Sequence, residues 1–113
     1  VKDIETYEDC LFLIEKFYDK LLNDEKISHY FNSLPLNSHI PNVANFWAFV
    51  LLDKPGYSNN MMQAHSRLDL KESDFDQWLK LFHETIDQYF NGGKANLAKE
   101  RSTLIAWTMR SKL

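Results

Sequence analysis

The chain has one cysteine, three glycines and three prolines among its 113 residues. A lone Cys10 excludes an internal disulfide, a multi-cysteine zinc or iron–sulfur site and covalent cofactor attachment of the C-x-x-C-H type. The few glycines and prolines fall at boundaries between periodic segments and leave no linker or low-complexity tract. No run approaches eighteen apolar residues and no signal-peptide pattern opens the chain, so the expectation is a soluble, cytoplasmic protein with no membrane partner. Positive charge is not in excess either. A formal net charge of −3 leaves no basic stripe and argues against nucleic acid.

What the chain does have is aromatic mass. Hydrophobic residues make up 44% and charged residues 26%, a globular balance, and the length suits a single domain over 1–113. Eight Phe, five Tyr and three Trp are heavy for this length. Each aromatic side chain buries about 150–250 Å². Either the core is unusually aromatic or it encloses a flat ligand.

Periodicity is helical throughout, with no sustained alternation of period two, so the fold class is all-α. Thr6 starts the first helix, with Asp9 three residues on as an approximate capping box, and Tyr7, Leu11, Ile14, Phe17, Tyr18, Leu21 and Leu22 form its apolar stripe. Ile27–Phe31 is a short turn in which His29 faces solvent. The segment Asn37–Pro41 opens a helix to about Leu52 carrying Val43, Phe46, Trp47, Val50 and Leu51 on one face. Pro41 disfavours the α conformation at Ile40, which places His39 ahead of the helix with a ring able to swing outward as a gate. Met61–Leu68 is a short helix with His65 on its apolar face. Ser73–Asp76 caps a long helix bearing Phe75, Trp78, Leu79, Phe82, Ile86, Tyr89 and Phe90, with His83 at its boundary. Asn91-Gly92-Gly93 stops it. A last helix from Ala95 to Leu113 turns Leu97, Ala98, Leu104, Ile105, Thr108 and Met109 inward.

Tyr18, His39, His65 and Trp78 put polar atoms on apolar faces of different helices. For each alone the structural alternative is ordinary: a core side chain bonded to the backbone. Four together are more than packing needs, because every buried donor must be satisfied. A pocket around a flat cofactor with a polar bound ligand would use them, with His39 and His65 on opposite sides.

An ordered set of residues carries a resemblance. It runs through Phe17-Tyr18, Phe31, His39, the block Asn45-Phe46-Trp47-Ala48, His65 and Leu68, then Phe75-x-x-Trp78-Leu79-x-Leu81-Phe82. In order and approximate spacing this set resembles the group III truncated haemoglobins over nearly the whole chain, and the scarcity of glycine fits that group. The resemblance implies a truncated globin fold, two helix pairs crossed over each other around a haem pocket. It implies non-covalent haem b with His65 as the iron ligand, and Tyr18, His39 and Trp78 as distal residues. Phe31, Val43, Phe46, Trp47, Leu68, Phe75 and Phe82 would wall the haem, and Arg67 is the candidate for a propionate.

Two donors facing a ligand with partial negative charge would add about 1.5–3 kcal/mol each. Release would slow on the order of 10²- to 10⁴-fold. That disfavours oxygen transport and favours tight capture of O₂, NO or CO, or redox chemistry such as peroxide reduction or NO dioxygenation. No flavin or nicotinamide fingerprint is present, so an enzyme of this kind would need a separate reductase. A peroxidase would also need an anionic partner for His65, for which Asp69 is the nearby candidate. A cofactor-free helical interaction module with an aromatic core remains the contrasting reading.

Overall fold

Helix α1 (Tyr7–Leu22) begins at the capping box expected for it. The Thr6 hydroxyl accepts the Asp9 N–H at 3.1 Å and the Asp9 carboxylate accepts the Thr6 N–H at 3.1 Å. Such a cap contributes about 0.5–2 kcal/mol. The Lys2 ammonium adds a bond to the same carboxylate. Cys10, Leu13, Ile14, Phe17, Tyr18 and Leu21 are buried, whereas Tyr7, Leu11 and Leu22 form a half-buried border. The buried face is broad because α1 meets two other helices. The computed structural model describes residues 1–55 and 70–111. The short helix expected over 61–68, with His65, Arg67 and Leu68, lies outside the described residues, as does Asp69.

Helix α2 (Leu36–Leu52) starts earlier than Pro41 suggests. The Pro35 carbonyl accepts the N–H groups of Ser38 and His39 at 3.1 and 2.9 Å. His39 therefore rides inside the first turns and does not precede the helix. Pro41 removes one donor, the one that would reach the Asn37 carbonyl, and Asn37 is exposed so that water can serve it. The helix ends at Asp53 in the left-handed region, φ 56°, a conformation that Asp tolerates better than most residues.

Helix α3 (Glu72–Tyr89) also begins before its expected cap. Ser73 and Asp74 are already helical, and the Asp74 carboxylate reaches back to accept the Lys71 N–H at 2.8 Å. A good capping residue here acts from the third helical position.

Helix α4 (Gly93–Arg110) has Gly92 at its N-cap, where no side-chain oxygen is available. Asp3, at the other end of the chain, supplies one: its carboxylate accepts the Lys94 and Ala95 N–H groups at 2.9 and 2.8 Å. A Cβ on Gly92 would lie 2.5 Å from Asp3 Cγ, and its φ of 146° is strained for any other residue. Ala95, Ala98, Ser102, Ala106 and Met109 turn inward. Leu104 is 58% exposed and Thr108 is also exposed, contrary to expectation. The run from Leu104 to Met109 offers more apolar side chains than one helical face holds, and the small residues win the close approach to α3.

Helix α1 packs on α2 and α3 packs on α4, with α1 also against α3 and a smaller contact between α2 and α4. The result is all-α: two helix pairs laid across each other. Among the described residues the only extended pairing is an isolated bridge between Lys2 and Phe90. None of the described helices is long and apolar enough to cross a membrane. Phe17 sits at the centre of the aromatic core, edge-on to Phe82 at 4.8 Å and to Trp78 at 5.5 Å.

Candidate functional site

Tyr18 occupies the last third of α1 and is 5% exposed. Its phenol oxygen lies 2.6 Å from His39 Nε2 on α2, a hydrogen bond between the two helices. The rings meet edge to face, with centroids 5.3 Å apart and planes at 90°. Burial pushes the Tyr18 phenol far above its usual range, because an unpaired phenolate would have to be desolvated. The hydroxyl therefore keeps its proton, which it donates to His39 Nε2 when that nitrogen is unprotonated and can offer to another acceptor when Nε2–H is the donor. Phe31 closes the other side of the Tyr18 ring at 5.9 Å, and Phe17 supports it at 5.7 Å.

Trp78 projects from the second turn of α3 and is half-buried. It stacks on Phe82, centroids 5.5 Å apart and planes within 16°. Phe17 contacts both Tyr18 and Trp78, so one buried ring couples the two side chains. Among the described residues the indole N–H makes no hydrogen bond. Trp78, Phe31 and Phe75 line an apolar cavity together with Ile27, Leu70, Asp74, Ile105, Ala106 and Met109. Its lining of aromatic and aliphatic side chains with one carboxylate favours contact with an apolar group.

The remaining sequence candidates fall in two places. Trp47 and Phe82 are buried in the core, ring on ring at 5.0 Å. Val43 and Phe46 are half-buried beside them on α2. Ile27, Leu70, Asp74 and Ala106 line the cavity without having been singled out from sequence. Only Ile105 and Met109, read as inward-facing on the last helix, left a signal there. Their meeting with Phe31 and Phe75 depends on α4 folding back along α3, which no local pattern states. His83 has a closed local environment: its Nε2 lies 3.2 Å from both the Lys99 carbonyl and the Ser102 hydroxyl. Among the described residues no three His, Cys, Asp or Glu side chains converge as a metal cluster.

No protein-family model matches the chain. A curated relative does: the group 3 truncated hemoglobin ctb of Campylobacter jejuni is 32% identical over 108 residues, spanning 88% of this chain and 84% of the relative. Among solved structures, the crystal structure of the group III truncated hemoglobin from Campylobacter jejuni superposes with a TM-score of 0.90 at 27% identity. That match covers 100% of this chain and 95% of the other. Identity at this level over nearly the full length, on the same helical frame, goes beyond shared architecture: the chain belongs to the group III truncated haemoglobins.

Proposed function

We propose that the chain holds a non-covalent haem b and captures O₂ or another diatomic gas, NO or CO, in a polar pocket between α1, α2 and α3. When bound, the haem supplies an iron centre for reversible gas binding. His65 is the proposed iron ligand and Arg67 the proposed propionate partner. Phe31, Phe75 and Trp78 would hold the ring, with Val43, Phe46, Trp47, Leu68 and Phe82 backing the pocket. The observation that carries the reading is the Tyr18–His39 pair: a buried, protonated phenol bonded to an imidazole, next to an aromatic-lined cavity in a chain of this family.

Tyr18 donates a hydrogen bond to a ligand that carries partial negative charge. His39, donating from Nε2–H to the phenol oxygen, orients the phenol, and Trp78 offers its indole N–H from α3 as a second donor. A bond to a charged acceptor is worth about 1.5–3 kcal/mol. Two such donors slow release enough to disfavour oxygen transport. They favour tight capture, or redox chemistry on NO or peroxide served by a separate reductase.

Absorption spectra of the ferric, ferrous and CO-bound protein test the reading. The wild type should show a Soret band after haem reconstitution, and His65→Ala should lose stable haem. No Soret band in the wild type, or full retention with unchanged axial ligation in the variant, would refute it.

A further inference from the structure

Two large apolar side chains on α4 face solvent: Trp107 is 64% exposed and Leu104 is 58% exposed. They stand three residues apart, on the face opposite Ala98, Ser102, Ala106 and Met109, which turn into the protein. A lone exposed leucine is ordinary, but a tryptophan beside it makes an apolar patch of the kind that marks an interaction surface. Arg101 is exposed one turn before Leu104. Among the described residues its guanidinium makes no ion pair or hydrogen bond, and the Trp107 indole makes no ring contact or hydrogen bond. At 3.6 residues per turn, Arg101 and Trp107 flank Leu104 on opposite sides, each about 60° away. On one helix they point apart.

We infer that this face of α4 pairs with the same face of a second copy of the chain, antiparallel, about a two-fold axis at Leu104. A second copy is the occupant because the face is complementary to itself. A two-fold axis perpendicular to the helix carries each residue before Leu104 onto the one equally far after it. Leu104 then meets Leu104 of the other copy, and Arg101 meets Trp107 of the other copy, twice. Arginine over an indole face is a favoured cation–π pairing, stronger once water is excluded. The same operation sets half-buried Leu97 against Ser111 and places Glu100 beside the Thr108 hydroxyl. No cation falls on a cation and no carboxylate on a carboxylate. A parallel pairing would set each Arg101 against its own copy, which like-charge repulsion opposes. Tryptophan and arginine are also the side chains that most often carry interface energy. Ile105, Ala106 and Met109 line the aromatic cavity from the other side of α4, so the pairing face and the cavity face are distinct.

A single pair of helices makes an interface at the small end of the specific range, so assembly is expected at roughly 10–100 µM chain. Sedimentation velocity on the full chain, from about 1 µM to about 500 µM, should show one chain passing to two. Trp107→Glu should remain one chain throughout, with unchanged helicity by circular dichroism. Trp107→Ala, which keeps a strong helix former at the site, should weaken the dimer at least about tenfold. Arg101→Glu should weaken it about tenfold and Arg101→Lys less, as expected of a cation resting on an indole. Cross-linking reads the register. Leu104→Cys lies on the axis and should give a disulfide-linked dimer under mild oxidation, whereas Asn96→Cys, about 24 Å from its copy, should not. Cys10 is fully buried and stays out of the exchange. A wild type that remains one chain at the highest concentration would overturn the inference. So would a dimer that both Trp107 variants leave intact, or equal cross-linking at positions 96 and 104. None of these readouts depends on haem uptake, so failure here leaves the gas-binding reading standing.

Discussion

His39 and His83 make an instructive pair. Both are partly buried, both sit on long helices, and each bonds a hydroxyl on a neighbouring helix. His83 meets two aliphatic hydroxyls and a carbonyl, and those groups also bond each other: Ser102 and Thr103 each donate to the Lys99 carbonyl, at 3.0 and 2.8 Å. Its network closes on itself and joins α3 to α4. His39 meets a buried phenol on another helix, amid aromatic rings, beside an apolar cavity. A hydroxyl satisfied by its own helix holds a fold together. A phenol tied to another helix by one imidazole can be re-aimed at a ligand, so residue type and burial do not separate the two histidines, but their partners' other commitments do.

The contrast breaks most visibly at the phenol. Tyr18→Phe should speed O₂ release about 10- to 100-fold, the loss of one bond of roughly 1.5–3 kcal/mol to a charged acceptor. Flash photolysis or stopped-flow displacement measures it, and an unchanged off-rate would remove Tyr18 from the distal role. His83→Ala should do the reverse, costing about 1–2 kcal/mol of stability by urea unfolding while the O₂ off-rate stays within about twofold, as expected of an independent site. A large kinetic effect there would erase the distinction between the two histidines.

The smallest effect belongs to Asp3, whose clasp is wholly structural. Burial alone would raise its carboxyl pKa, but the backbone N–H groups of Lys94, Ala95 and Ile4 outweigh that and hold it below the usual carboxylate value. A depressed folded value stabilises above the unfolded pKa of about 3.9 and is lost as pH falls through the folded value. Asp3→Asn should therefore cost about 0.5–1.5 kcal/mol at pH 7, with the gap to wild type narrowing below about pH 4. Unfolding midpoints at pH 7 and pH 3 check the sign, and O₂ kinetics should not move.

Local pattern located most of the frame. The stripe from Ile14 to Leu21, the Thr6–Asp9 capping box and the apolar run Phe46–Leu52 each follow from nearest-neighbour helix chemistry, and the structure has helices there. Local pattern misjudged positions where distant groups intervene. Ser73 is a good cap by type, yet the helix starts at Glu72 because Asp74 bonds backwards. Leu104 is apolar, yet α4 turns its alanines inward because they let the helix approach α3. Pro41 suggested a helix that begins only after His39, but an exposed first turn tolerates one missing donor, and the helix starts at Leu36.

Residue order and spacing alone settled that this chain would be helical and where its longest helices would lie, because those properties depend on periods of three and four residues; the family's arrangement was legible only as a resemblance over an ordered set of residues spread along the chain. The meeting of Tyr18 with His39 and the capping of α4 by Asp3 were decided only by tertiary packing. Each joins residues far apart in the chain, and their contact depends on how whole helices cross.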